Sequence, residues 1–129
     1  MTPELTALAL SGLLQMVQLT LFSVTAQKQV GTKNALKPRD TQITLTGTPG
    51  RIHRAMNNHF EGLILFTLAV TVVTLSDQST TFTQACAWTY LAARIAYIPA
   101  YALGWVPWRS LIWMVGITAT TLMLLASFV

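Results

Sequence analysis

Apolar residues in this chain gather into four long blocks, at about 5–27, 51–75, 80–103 and 108–128, rather than alternating with polar ones along every element. Each block is close to the roughly 20 residues that a helix needs to cross about 30 Å of hydrocarbon. The pattern predicts one all-α domain over residues 1–129: an integral membrane four-helix bundle with four transmembrane helices per subunit. No charge falls between residues 5 and 27 or between 110 and 129, whereas the second block opens on Arg51 and the third contains Arg94. Between the first two blocks, at about 28–50, Gly31, Pro38, Gly47, Pro49 and Gly50 lie among threonines and bases. This predicts an irregular loop that ends in a Thr48-Pro49-Gly50 turn leading into the second span.

Composition strengthens the membrane reading, because 53% of residues are hydrophobic and only 9% charged, against about a quarter charged in soluble domains. A net charge of +4 does not indicate nucleic acid, since the bases form no exposed stripe interleaved with aromatics. They lie between or at the ends of apolar blocks. Lys28, Lys33, Lys37, Arg39, Arg51 and Arg54 fall in or beside the first loop and Arg109 opens the last span, while the Ser76-Asp77-Gln78-Ser79 turn has no base. By the positive-inside rule the first and third connections face the cytoplasm and both termini the opposite side. Glu4 stands where a secretory signal would carry Lys or Arg, so the first block is expected to be retained. The single cysteine, Cys86, allows no intrachain disulfide and no zinc cluster, and is expected to be a small packing residue.

Polar residues within the apolar blocks carry the candidate chemistry. Arg51, Arg54, Asn58 and Glu61 fall within roughly 80° of one another on a helix, which puts the Glu61 carboxylate about 15 Å along the axis from Arg51. In the third block Tyr90, Arg94, Tyr97 and Tyr101 share a second face. Arg94 needs a carboxylate or a ligand, and pairing with Glu61 across a helix interface is one way to satisfy it. Four guanidiniums, those of Arg51, Arg54, Arg94 and Arg109, face a single nearby carboxylate. A small acidic ligand with carboxylates for the arginines and an amine for Glu61 would balance the set. Lipid phosphate could meet the same demand at Arg51 and Arg109. Pro107-Trp108-Arg109-Ser110 opens the last span, where helix dipole, guanidinium and hydroxyl together suit a developing anion. Trp105, Trp108 and Trp113 fit an interfacial belt. His53 lies opposite the stripe and His59 is isolated, so no metal site is expected.

The run Arg51-Ile-His-Arg54-Ala-Met-Asn-Asn58-His-Phe-Glu61 resembles the signature of the MAPEG superfamily, membrane-associated proteins in eicosanoid and glutathione metabolism. So does Arg94-Ile-Ala-Tyr97-Ile-Pro-Ala-Tyr101 followed by Arg109-Ser110, and with the four-span layout the resemblance covers most of the chain, in the manner of a bacterial-type member. It implies a bundle that forms homotrimers, with glutathione as co-substrate held between neighbouring subunits near the cytoplasmic face, in a bacterial inner membrane. Arg54, Asn58 and Glu61 look like glutathione contacts, Glu61 meeting the γ-glutamyl amine, with Arg51 beside them. Arg94, Tyr97 and Tyr101 look like the third-helix contacts, Arg109 like the arginine that stabilises the thiolate, and Ser110 like a serine that hydrogen-bonds the thiol. A thiol with a reference pKa of about 8.5 becomes a better-populated nucleophile beside a cation and a hydroxyl donor. The chain departs from some members at Met56, Asn57 and Gly62, and has only Lys28 where a first-helix arginine can clamp a carboxylate. Asp40 sits at a loop position similar to an acid of the prostaglandin synthase branch and is left out of the active set.

Three functions follow as expectations. The first is a glutathione-dependent enzyme that conjugates lipophilic electrophiles or reduces lipid hydroperoxides. The second is a non-catalytic lipid-binding or assembly protein, and the third is a small four-span organic-ion transporter. Such transporters are expected to keep an acid in the first span, and residues 5–27 contain none.

Overall fold

A computed structural model describes residues 1–31 and 45–129. Lys33, Lys37, Arg39 and Asp40 lie outside the described residues, as does most of the expected irregular loop. Among the described residues the chain is all-helical, with α1 at Pro3–Val30, α2 at Gly47–Leu75, α3 at Thr81–Ala102 and α4 at Trp108–Ala126. Of these, α1, α2 and α4 are long and apolar enough to cross a membrane. Helix α3, with 22 residues, has the length but not the apolarity, because Arg94, Gln84 and its threonines interrupt it.

Local signals set the helix ends. Thr2 caps α1 by accepting from the Leu5 N–H, and Pro3 sits where a helix needs no amide proton. Thr80 and Thr83 form a reciprocal capping box at the start of α3. The expected Thr48-Pro49-Gly50 turn is helical instead: α2 begins at Gly47 and places all three residues in its first turn. Those amides have no partner one turn back, so Pro49 costs nothing there. Gly50 is required by close approach, since a Cβ would lie 2.7 Å from the Leu45 carbonyl oxygen.

Helix α2 packs against α1, α3 and α4, while α1 and α4 do not meet. The end of the bundle away from Arg109 is apolar, built from Phe66, Val70 and Val73 of α2, Cys86, Ala87 and Tyr90 of α3, and Ala119 and Met123 of α4. Outward faces are equally apolar: Leu13, Met16, Ile64, Leu68, Ile95, Met114 and Leu125 are all exposed, as lipid contact requires. Helix α1 reverses the pattern of a soluble helix. Its buried face carries Glu4, Ser11, Gln15 and Gln18, while Leu10, Leu13, Leu19 and Leu21 face out. Glu4 is wholly buried, and its Oε1 accepts from Ser79 Oγ and Thr83 Oγ1, both at 2.8 Å, joining α1 to the start of α3.

Candidate functional site

The antiparallel arrangement brings the end of α3 and the starts of α2 and α4 to one end of the bundle, so that both polar stripes meet Arg109 there. A recess of about 240 Å³ opens at that end, lined by Asn58, Tyr97, Tyr101, Arg109, Ser110 and Trp113. Five of the nine expected site residues are therefore wall residues of one recess. Stacked cations and rings form its frame: the Arg109 guanidinium lies 4.9 Å from the Tyr101 ring centroid, and Tyr97 and Tyr101 lie 5.5 Å apart at 49°. Contacts of a cation with a ring face are attractive through the ring quadrupole, and more so out of water.

Arg94 stands behind the recess and is only 2% exposed. The proposed pairing with Glu61 does not form. Its Nε donates to His59 Nδ1 and its Nη1 to Asn58 Oδ1, both at 3.1 Å, and its Cζ lies 4.5 Å from the Tyr97 ring centroid. Nη2 is buried and takes no protein acceptor among the described residues. The buried guanidinium is thus held by neutral groups, with no carboxylate partner among the described residues.

The remaining stripe residues fall at the margin. Arg54 is exposed and donates from Nε to Tyr101 Oη at 3.2 Å, which fixes the tyrosine as part of the recess wall. Arg51 donates from Nε to the Ala102 carbonyl oxygen at 3.0 Å and so engages the end of α3 rather than the recess. Glu61 is exposed on α2 and forms no ion pair or hydrogen bond among the described residues. At the start of α4 the Arg109 amide donates to the Trp105 carbonyl and the Ser110 amide to that of Pro107, so these two amides are already occupied. Any stabilisation of an anion there rests on the helix dipole, the Arg109 guanidinium and the Ser110 hydroxyl rather than on these two amides. Lys28 is exposed in the last turn of α1.

Two contributors escaped the sequence reading. Trp113 lines the recess as well as being 39% exposed, so an interfacial tryptophan doubles as a wall. His59, isolated in the sequence pattern, is wholly buried and lies between Arg94 and the Ser11 carbonyl oxygen. A helical wheel holds the missing signal: Ile52, Ala55, Met56, His59 and Phe66 share one face of α2, and all are buried. His53 stacks instead on Phe22 of α1, with centroids 4.6 Å apart.

No curated protein and no solved structure matches the chain. The family model described as the MAPEG family matches residues 5–129, essentially the whole chain. With its apolar helices, its two polar stripes and the cationic recess they enclose, this chain belongs to the MAPEG family, a membrane protein of the glutathione and eicosanoid metabolism type.

Proposed function

We propose that the protein is a glutathione-dependent membrane enzyme that activates the thiol as thiolate, for conjugation of lipophilic electrophiles or reduction of lipid hydroperoxides. The observation that carries this reading is the recess itself, where Arg109 and Ser110 share a small polar space with Asn58, Tyr97 and Tyr101, and Arg94 lies behind it with no carboxylate partner among the described residues. A guanidinium and a hydroxyl at one sulfur position favour the charged thiolate over the neutral thiol. The thiolate would then attack an electrophilic carbon, forming a thioether as the leaving group departs with the bonding pair, or attack a peroxide oxygen, breaking the O–O bond to give glutathione sulfenic acid and an alkoxide that takes a proton to become the alcohol. A second glutathione then converts the sulfenic acid to the disulfide and water.

In this reading all four helices cross a bacterial inner membrane, the first and third connections face the cytoplasm, and three copies assemble. Glutathione lies where neighbouring copies meet, and its γ-glutamyl amine gives exposed Glu61 a counter-charge. Arg54, Asn58, Arg94, Tyr97 and Tyr101 bind the tripeptide, Arg51 secures α2 against the end of α3, and the electrophile arrives through the lipid.

The test is a titration of glutathione into detergent-purified protein, following thermal stability and the ultraviolet absorbance of the thiolate together. Wild type is expected to be stabilised and to show thiolate at neutral pH, Glu61→Gln to lose binding, and Arg109→Ala to bind without the thiolate signal or turnover. No change in either signal for wild type would overturn the assignment.

A second reading, export of an organic ion, draws on one observation: α1 begins before residue 5 and carries buried Glu4 on a polar inner face with Ser11, Gln15 and Gln18. It predicts uptake into proteoliposomes that depends on Glu4 or Glu61 and needs no thiol. Vesicles inert to organic cations would dispose of it.

A further inference from the structure

His59 follows Asn58 on α2 and is wholly buried. Arg94 Nε donates to its Nδ1 at 3.1 Å, and its Nε2 lies 3.0 Å from the Ser11 carbonyl oxygen. An arginine can only donate, so Nδ1 must accept, and the single proton of the neutral ring then sits on Nε2 and is donated to Ser11. Both ring nitrogens are thus used in the senses that only the neutral Nε2–H tautomer satisfies. The ring ties α1, α2 and α3 together at the level of the recess. From α4, Gly116 approaches the methylenes of Arg94 and offers no side-chain polar group in competition.

The consequence runs outward from the histidine. The guanidinium that His59 orients also donates from Nη1 to Asn58 Oδ1 at 3.1 Å, and Asn58 lines the recess. With Oδ1 turned toward a cation, the Nδ2 end of the amide points away from Arg94 and is the end it offers to an anionic ligand. The geometry points to His59 as a positioning residue of this site: its Nδ1 lone pair orients Arg94, and Arg94 in turn commits Asn58 to donate to an anionic group of the ligand. Because the acceptor is neutral, Arg94 keeps its positive charge for that same group. The binding readout of this assignment rests on the glutathione reading, whereas the arrangement of His59 and Arg94 does not.

Three substitutions separate the two ring nitrogens. His59→Asn places an amide oxygen near the position of Nδ1, His59→Gln carries an amide donor toward the Ser11 carbonyl, and His59→Leu keeps neither. Glutathione affinity and thiolate absorbance at saturation are measured for each, and the Arg94 Nε–H resonance is recorded by ¹⁵N NMR without ligand. The Asn variant is expected to bind like wild type and keep the resonance. The Gln and Leu variants are expected to lose it and to bind about tenfold more weakly, the order of one hydrogen bond to a charged group, with thiolate at saturation unchanged because Arg109 and Ser110 are untouched. Wild-type affinity in the Gln or Leu variant, or equal loss in all three, would overturn the assignment. If the Leu variant does not fold, the Asn and Gln variants decide. If wild type binds no glutathione, the enzymatic reading falls and the resonance decides for His59: its loss in the Gln variant with survival in the Asn variant would sustain the assignment, and its survival in the Gln variant or loss in the Asn variant would overturn it.

Discussion

At the scale of single residues, the site is a problem of buried charge. Arg94 meets an imidazole nitrogen through Nε, an amide oxygen through Nη1 and a tyrosine face, all neutral, while Nη2 has no acceptor among the described residues. Removing such a cation strands its acceptors, and each hydrogen bond to a charged group contributes about 1.5–3 kcal/mol. Arg94→Met is therefore expected to lower the detergent melting temperature by several degrees and to abolish glutathione-induced stabilisation, both read in one thermal scan. Arg54 differs in kind, because it is exposed and meets Tyr101 through one 3.2 Å hydrogen bond. Tyr101→Phe removes that bond but keeps the ring under Arg109. The melting temperature should hardly move, and a large drop would show that the tyrosine hydroxyl does more than anchor Arg54.

Among the elements, α1 is the one whose chemistry the hydropathy profile hides. Averaged along its length it is an apolar span, yet its inner face is Glu4, Ser11, Gln15 and Gln18. In lipid a polar side chain is best turned toward other helices, so the usual inside and outside of a helix exchange places. Glu4 then fastens α1 to the α2–α3 turn through Ser79 and to α3 through Thr83. Glu4→Gln keeps an acceptor for both hydroxyls and is expected to be mild. Glu4→Leu leaves the buried Thr83 hydroxyl, and the exposed Ser79 hydroxyl beside it, without that acceptor and should cost about 1–3 kcal/mol, and equal denaturation midpoints for the two variants would contradict that account. At the start of α2, Gly50→Ala brings a methyl to within 2.7 Å of the Leu45 carbonyl oxygen. Hydrogen exchange should therefore report faster opening of residues 45–52, with residues 60–75 unchanged.

For the whole molecule, antiparallel helices gather Lys28, Arg51, Arg54, Arg94 and Arg109 toward one end and leave the Ser76–Thr80 connection without a base. The charge asymmetry carries a prediction of orientation. In a Cys86→Ser background, Asp77→Cys and Trp105→Cys should be labelled by an impermeant thiol reagent from opposite sides of sealed inverted vesicles, position 105 from the outside. Labelling of both from one side would invalidate the topology. The same end of the bundle leaves Glu61 exposed at span depth, where lipid contact is costly. Cross-linking in intact membranes is expected to stop at three copies.

How far the chain can be read without coordinates follows from the range of the forces involved. Hydropathy and helical period are local, so the four helices, the membrane as their solvent and the two stripes carrying Arg54, Asn58, Glu61, Arg94, Tyr97 and Tyr101 are legible in the sequence. The first turn of α2 is less legible, because glycine and proline suggest a loop but near a helix start do not break it, as Pro49 shows. Partner choice is another matter. Arg94 meets His59 across 35 positions, His59 meets Ser11 across 48, and Thr83 meets Glu4 across 79. A one-dimensional pattern supplies the surplus of positive charge but not the neutral groups that hold it. Those are selected by which helix faces can approach closely, and only packing in three dimensions decides that.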